Sequence, residues 1–130
     1  MIDLPVLARN LKGMEVVEAG GVAVVTARNL AATLGYKCEK AVSLIFSRHK
    51  KVFREAPIYG IEHPSALRGP VDTGIIRLET AGGVQDIRVF TIKGALKICA
   101  KSHQPKSMEV IEMIIDLYDE AAKRIGGGAQ

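Results

Sequence analysis

The chain has 130 residues, 48% of them apolar and 25% charged, which suits one domain with a real core and excludes an intrinsically disordered segment. Trp is absent and aromatics make up 5%, so a core of mostly Leu, Ile, Val and Ala is expected, and no apolar run approaches the roughly 20 residues of a membrane span. The net charge of +4 is too small to define a partner by itself, and its distribution along the chain has to be read instead.

The opening "MIDLPVLARN" has an acid at position 3 and no basic stretch leading into a long apolar run, so no export signal is expected. Residues 14–25, "MEVVEAGGVAVV", read as a β-hairpin around Gly20 and Gly21, because paired glycines supply the backbone a tight turn needs. Thr26 follows as a helix N-cap. Ala27, Leu30, Ala31 and Leu34 recur at helical spacing, and Gly35 ends that helix as a C′ glycine. From about Cys38 to Lys51 a second helix is predicted, with Ala41, Val42, Ile45 and Phe46 inward and Lys40, Ser43, Ser47 and Lys51 outward.

Residues 56–73 are rich in Pro and Gly and are expected to form a long connection without regular structure. A second hairpin is predicted over 74–91, turning at Gly82 and Gly83, with Arg77 and Arg88 alternating with Leu78 and Val89 and directed away from the buried face. Thr91 caps a third helix whose inward stripe is Ile92, Ala95, Leu96 and Cys99 and whose lysine stripe is Lys93, Lys97 and Lys101. Gly94 inside it weakens a helix by about 1 kcal/mol relative to Ala and marks a close helix contact. Pro105 is placed in the first turn of a last helix running to about Arg124. That helix is apolar over too wide an arc for one half-buried stripe, so it either lies deep or offers a face to a partner. The expected fold class is α+β: two hairpins, a helix-turn-helix-like pair and a long C-terminal amphipathic helix. Residues 1–125 would form a single domain, with 126–130 as a flexible Gly-rich tail.

Little supports an enzyme. There is no GxSxG elbow, no GxGxxG or GxxxxGK[ST] phosphate loop and no HExxH or Cys/His metal pattern. His49, His63 and His103 are scattered, and Cys38 and Cys99 are far apart and expected to be reduced thiols. No catalytic residue, cofactor or metal is assigned. The charge pattern is more informative. Lys37, Lys40, Arg48, Lys50, Lys51 and Arg54 stand against Glu39 alone, and residues 93–106 carry lysines and no acid. Glu109, Glu112, Asp116, Asp119 and Glu120 gather late in the chain. This separates a face for a polyanion from a face for something else.

Two short helices around the Gly35–Lys37 turn are what a helix-turn-helix requires, the first bracing and the second, basic one entering the major groove. The candidate DNA-binding residues are Lys37, Lys40, Ser43, Ser47, Arg48, Lys50 and Lys51. Arg77 and Arg88 join them on a hairpin wing, and Lys93 and Lys97 beside phosphates. An ordinary amphipathic helix with solvated lysines gives the same pattern, as does a hairpin with merely exposed arginines. Tyr36 is expected to pack over the core. Met108, Ile111, Ile115 and Tyr118 are the candidate dimer interface.

Two stretches, "VVTARNLAATLGYKCEKAVSLIFSRHK" and "RVFTIKGALKICAKSHQPKSMEVIEMIIDLYDE", covering about half of the chain, resemble the N-terminal domains of phage and large-virus regulators. These are the Bro-N, KilA-N, antirepressor and Rha-type group. The shared features are a strand leading into a helix with an A-x-x-L-G-Y end, and a strand leading through a Thr into a helix and then a long amphipathic helix. The resemblance implies a phage or prophage transcriptional regulator that binds double-stranded DNA in the cytoplasm of a bacterial host, often with a separate C-terminal effector domain. It also implies an alternative: an antirepressor can act by binding a repressor protein instead of DNA.

Overall fold

A computed structural model describes residues 7–11, 14–19, 21–57 and 64–126. Five strands, β1 (Leu7–Leu11), β2 (Met14–Ala19), β3 (Val22–Thr26), β4 (Thr73–Thr80) and β5 (Gly83–Thr91), form one antiparallel sheet in the order β1-β2-β3-β5-β4. Four α-helices complete the α+β fold: α1 (Ala27–Leu34), α2 (Lys40–Arg48), α3 (Ile92–Lys101) and α4 (Ser107–Gly126). Strand β1 is not expected from the sequence, and with it the described residues hold three antiparallel hairpin pairings where the sequence reads as two.

The two central strands, β3 and β5, pair with Val25 opposite Phe90 and each run directly into a helix. The period-2 alternation of strands divides their side chains between two faces. Val16, Val25 and Phe90 point toward the helices, where they meet Leu30, Leu34, Val42, Phe46, Phe53, Ile98, Val110 and Ile114. Val17, Val24, Val89 and Ile76 point to the other face, where Leu67, Ala56 and Val71 cover them. Leu67 belongs to a 3-10 turn, Pro64–Leu67, so part of the 56–73 connection is a lid on the sheet. Residues 58–63 lie outside the described residues. Few as they are, the aromatics matter: Phe46, Phe53 and Phe90 pack edge to face with ring centroids 5.3 to 6.2 Å apart, at the junction of α2, the sheet and the segment after α2.

The helix signals act where the sequence places them. The Thr26 hydroxyl accepts the Asn29 N–H at 3.0 Å and the Thr91 hydroxyl accepts the Gly94 N–H at 3.2 Å, each satisfying one orphan donor of a first turn. Gly35 is left-handed, with φ +95°, and the Gly35 and Tyr36 N–H groups donate back to the Ala32 and Ala31 carbonyls. This is a Schellman stop, which an L side chain would strain. Helix α2 is shorter than expected, ending at Arg48 with a 3-10 turn over Lys50–Val52. Helix α4 begins at Ser107, so Pro105 stands in the preceding turn and not inside the helix. The expected tail falls mostly outside the described residues, since Gly126 closes α4 and 127–130 are not described. No helix among the described residues is long and apolar enough to cross a membrane.

Candidate nucleic-acid interface

The Schellman stop at Gly35 aims the chain from α1 into α2. Tyr36 packs against the core, and its hydroxyl lies 2.9 Å from the Ser102 hydroxyl, within hydrogen-bond distance. It thereby ties the turn to the end of α3, and the Gln104 amide reinforces the tie by donating to the Leu34 carbonyl at 3.3 Å. Arg28 on α1 pairs with Glu39, the residue before α2, at 3.4 Å, but both are exposed and the pair adds little stability.

Helix α2 is anchored by Val42 and Phe46, which are buried, with Ala41 and Ile45 half-buried beside them. Its remaining positions, Lys40, Ser43, Leu44, Ser47 and Arg48, are exposed and lie at i, i+3, i+4, i+7 and i+8. Helical geometry puts such positions on one side. Of the outward residues read from the sequence, Lys40, Ser43 and Ser47 are therefore brought together, while Lys51 is exposed in the 3-10 turn after the helix. Leu44, missed in that reading, sits in their centre with 49% of its surface exposed. The signal was present: Leu44 is one turn after Lys40 and one turn before Arg48.

Lys37, Lys40, Arg48, Lys51 and Lys93 are exposed and make no ion pair among the described residues. The other candidates have internal partners. The Arg88 guanidinium lies 4.7 Å from the centre of the Phe46 ring and donates to Glu55 at 3.4 Å and to the Thr73 hydroxyl at 3.3 Å. By register Arg88 shares the face of Phe90, the helix side, so the expected outward direction is corrected. Near the tips of the strands both faces of a sheet are open, but at Arg88 both are covered. Lys50 pairs with the same Glu55 at 3.8 Å. Arg77 donates to Asp86 at 2.9 Å across the hairpin, and that hydrogen bond holds the exposed Asp86 carboxyl below its usual range. With Glu79 beside them the hairpin is charge-balanced, a poor wing for a polyanion.

Lys97 departs furthest from its expected role. Its ammonium donates to Asp72 at 2.7 Å and to the Val52 carbonyl, and it lies near the Phe53 ring. Asp72 is only 1% exposed and also accepts the Arg54 N–H at 2.9 Å. Lys97 therefore compensates a buried carboxylate. A sequence cannot show this, because Asp72 and Lys97 are 25 residues apart.

On α4, Val110 and Ile114 are buried, and Ile111 is half-buried against the same cluster. Met108 and Ile115 are 67% and 47% exposed. They lie among Glu109, Glu112, Asp116 and Asp119, all exposed. The side chain of Tyr118 is outside those described. No group of three or more His, Cys, Asp or Glu suited to a metal ion occurs among the described residues.

The two thiols are free and differ in environment: Cys38 is exposed, and Cys99 is buried with its pKa pushed up to about 12 by loss of solvent. Ellman's reagent should therefore titrate one thiol rapidly in the folded chain and the second only in denaturant; two fast thiols would contradict the packing of α3. Because the folded-state value lies above the ordinary thiol value of 9.0, this burial stabilises fully below pH 9. Its contribution falls by about 1.4 kcal/mol per pH unit as the pH rises from there toward 12. Cys99→Ala should make the alkaline loss of stability shallower.

Comparison with protein-family models, with curated proteins and with solved structures returned no match to this chain.

Proposed function

We propose that this chain is a non-enzymatic, sequence-selective DNA-binding domain of a phage or prophage transcriptional regulator, working in the cytoplasm of a bacterial host. Helix α2 enters the major groove, with Lys40, Ser43, Ser47 and Arg48 nearest the bases and the adjoining phosphates. Lys37, Lys51 and Lys93 add phosphate contacts. The observation that carries the reading is the exposed stripe of α2, whose cations have no ion-pair partner among the described residues, while Lys50, Arg77, Arg88 and Lys97 are all engaged with carboxylates. A polyanion supplies what that stripe lacks, and release of its counterions provides the affinity. The phage assignment rests on the resemblance of the sequence alone.

A second reading, a module that binds a repressor or other protein, or a second copy of itself, is favoured by one observation on α4. Met108 and Ile115 are large, apolar and exposed among acids, on a surface unsuited to DNA. The two readings part in one experiment, a mobility shift with a random-sequence 20-base-pair duplex at low salt. The wild-type chain should retard the duplex, and Lys40→Glu with Arg48→Glu should weaken retardation at least tenfold. Undiminished binding by that variant would show that α2 is not the DNA-facing helix. No retardation by the wild type would favour the protein-partner reading.

A further inference from the structure

We infer that Leu44 is a specificity-determining residue that seats on the 5-methyl groups of thymines; this rests on the DNA-binding reading above and names what α2 selects. Leu44 is half exposed at the middle of the outward stripe. Lys40 is one turn before it, Arg48 one turn after, and Ser43 and Ser47 lie on the same side. The rotation of α2 about its axis is fixed from behind. Val42 is fully buried, and the Phe46 ring is held by Phe53, Phe90 and the Arg88 guanidinium. The helix therefore cannot roll to bury Leu44.

The chemistry of the stripe narrows what it can read. Its exposed positions from Lys40 to Arg48 include no Asn, Gln, Asp or Glu, so the bidentate amide contact to adenine and the carboxylate contact to cytosine are absent. Ser43 and Ser47 accept or donate to any base edge and discriminate weakly. Lys40 and Arg48 can each contact guanine O6 and N7, so cations at the two ends of the stripe offer guanine contacts. Among the base edges of the major groove, the one apolar substituent is the thymine methyl. A leucine framed by cations that grip the phosphates on either side is placed to bury that methyl. In any other groove position it would be apolar surface against polar edges.

The test uses two alternating copolymers, poly(dA-dT) and poly(dA-dU), which have the same pairing and backbone charge and differ in the methyl group. Competition against a labelled duplex at fixed salt should show the wild-type chain binding the thymine polymer about fourfold or more tighter, the value of one buried methyl. Leu44→Ala should bind both polymers equally, with the thymine preference gone and the salt dependence unchanged; because Leu44 is exposed, the variant should keep the wild-type melting temperature. Equal binding of both polymers by the wild type would overturn the inference while leaving the DNA reading in place. So would a thymine preference that persists in Leu44→Ala. Binding to neither polymer would overturn the DNA reading and this inference with it.

Discussion

Gly94→Ala is expected to destabilise the folded chain by about 3 kcal/mol or more, although in a typical helix interior the same change stabilises by about 1 kcal/mol. The reversal comes from one close approach. A Cβ on Gly94 would lie 2.7 Å from the Asp72 carbonyl carbon and closer still to its oxygen. The obstacle is backbone, so no rotamer change relieves it. Nor can the two segments separate at low cost. The Thr91 N–H donates to the Asp72 carbonyl at 3.0 Å, and the Thr91 hydroxyl donates to the Val71 carbonyl at 2.9 Å while accepting the Gly94 N–H. The cap of α3 and the start of β4 are thus fastened together at the glycine, and a methyl group forces them apart. Urea denaturation should show the midpoint falling by a large fraction of its value. Thermal melting should drop by roughly 10 °C for a domain of this size. Unchanged or increased stability would mean that α3 does not pack on residue 72.

Lys97→Met should be the other large loss, about 3 kcal/mol, because it leaves a buried carboxylate without its cation. Asp72 keeps only the Arg54 N–H on one oxygen, and its other oxygen has no hydrogen-bond partner. Lys93→Met, one turn earlier on the same helix and exposed, should change stability by less than about 0.5 kcal/mol. The pair separates structure from binding. Below its melting temperature Lys97→Met should retain DNA affinity within about twofold, whereas Lys93→Met should lower it and reduce the salt dependence by about one phosphate contact. Denaturation curves for the two variants, with anisotropy titrations below both melting temperatures, check this. Comparable stabilities would show that the Lys97–Asp72 pair has no structural role. Gly94→Ala and Lys97→Met both act on residue 72, so their effects should not add.

What was legible in the sequence was local. Thr26, Thr91 and Gly35 announce helix ends because capping is a short-range contest between a side chain or a left-handed backbone and orphan peptide groups. The outward side of α2 followed from its period. The period of α3 makes Gly94 a close helix contact; the contact is there, but against the backbone of Asp72, which is in no helix. Long-range features were hidden. Strand β1 has little signature of its own, and the sequence of its partner β2 reads as a hairpin with β3. Arg88 was placed outward because alternation gives two faces without saying that both are covered. Lys97 looked like one of three equivalent lysines until Asp72, brought in by the 3-10 lid and the start of β4, reached it. Within the candidate site the cations were found by composition. Leu44 does not stand out in the sequence, because an exposed leucine is conspicuous only when the burial of its neighbours is known.

The most direct test of α2 as the DNA-binding element is the salt dependence of duplex binding by fluorescence anisotropy, for the wild type and for Lys40→Glu with Arg48→Glu. If Lys37, Lys40, Arg48, Lys51 and Lys93 each displace one counterion, the logarithm of the association constant should fall against the logarithm of salt concentration with a slope of about −4 to −5. The double variant should bind at least tenfold more weakly with a slope shallower by about 2. A wild-type chain that does not bind duplex, or a variant with the wild-type slope, would contradict the assignment of α2 as the element that grips DNA.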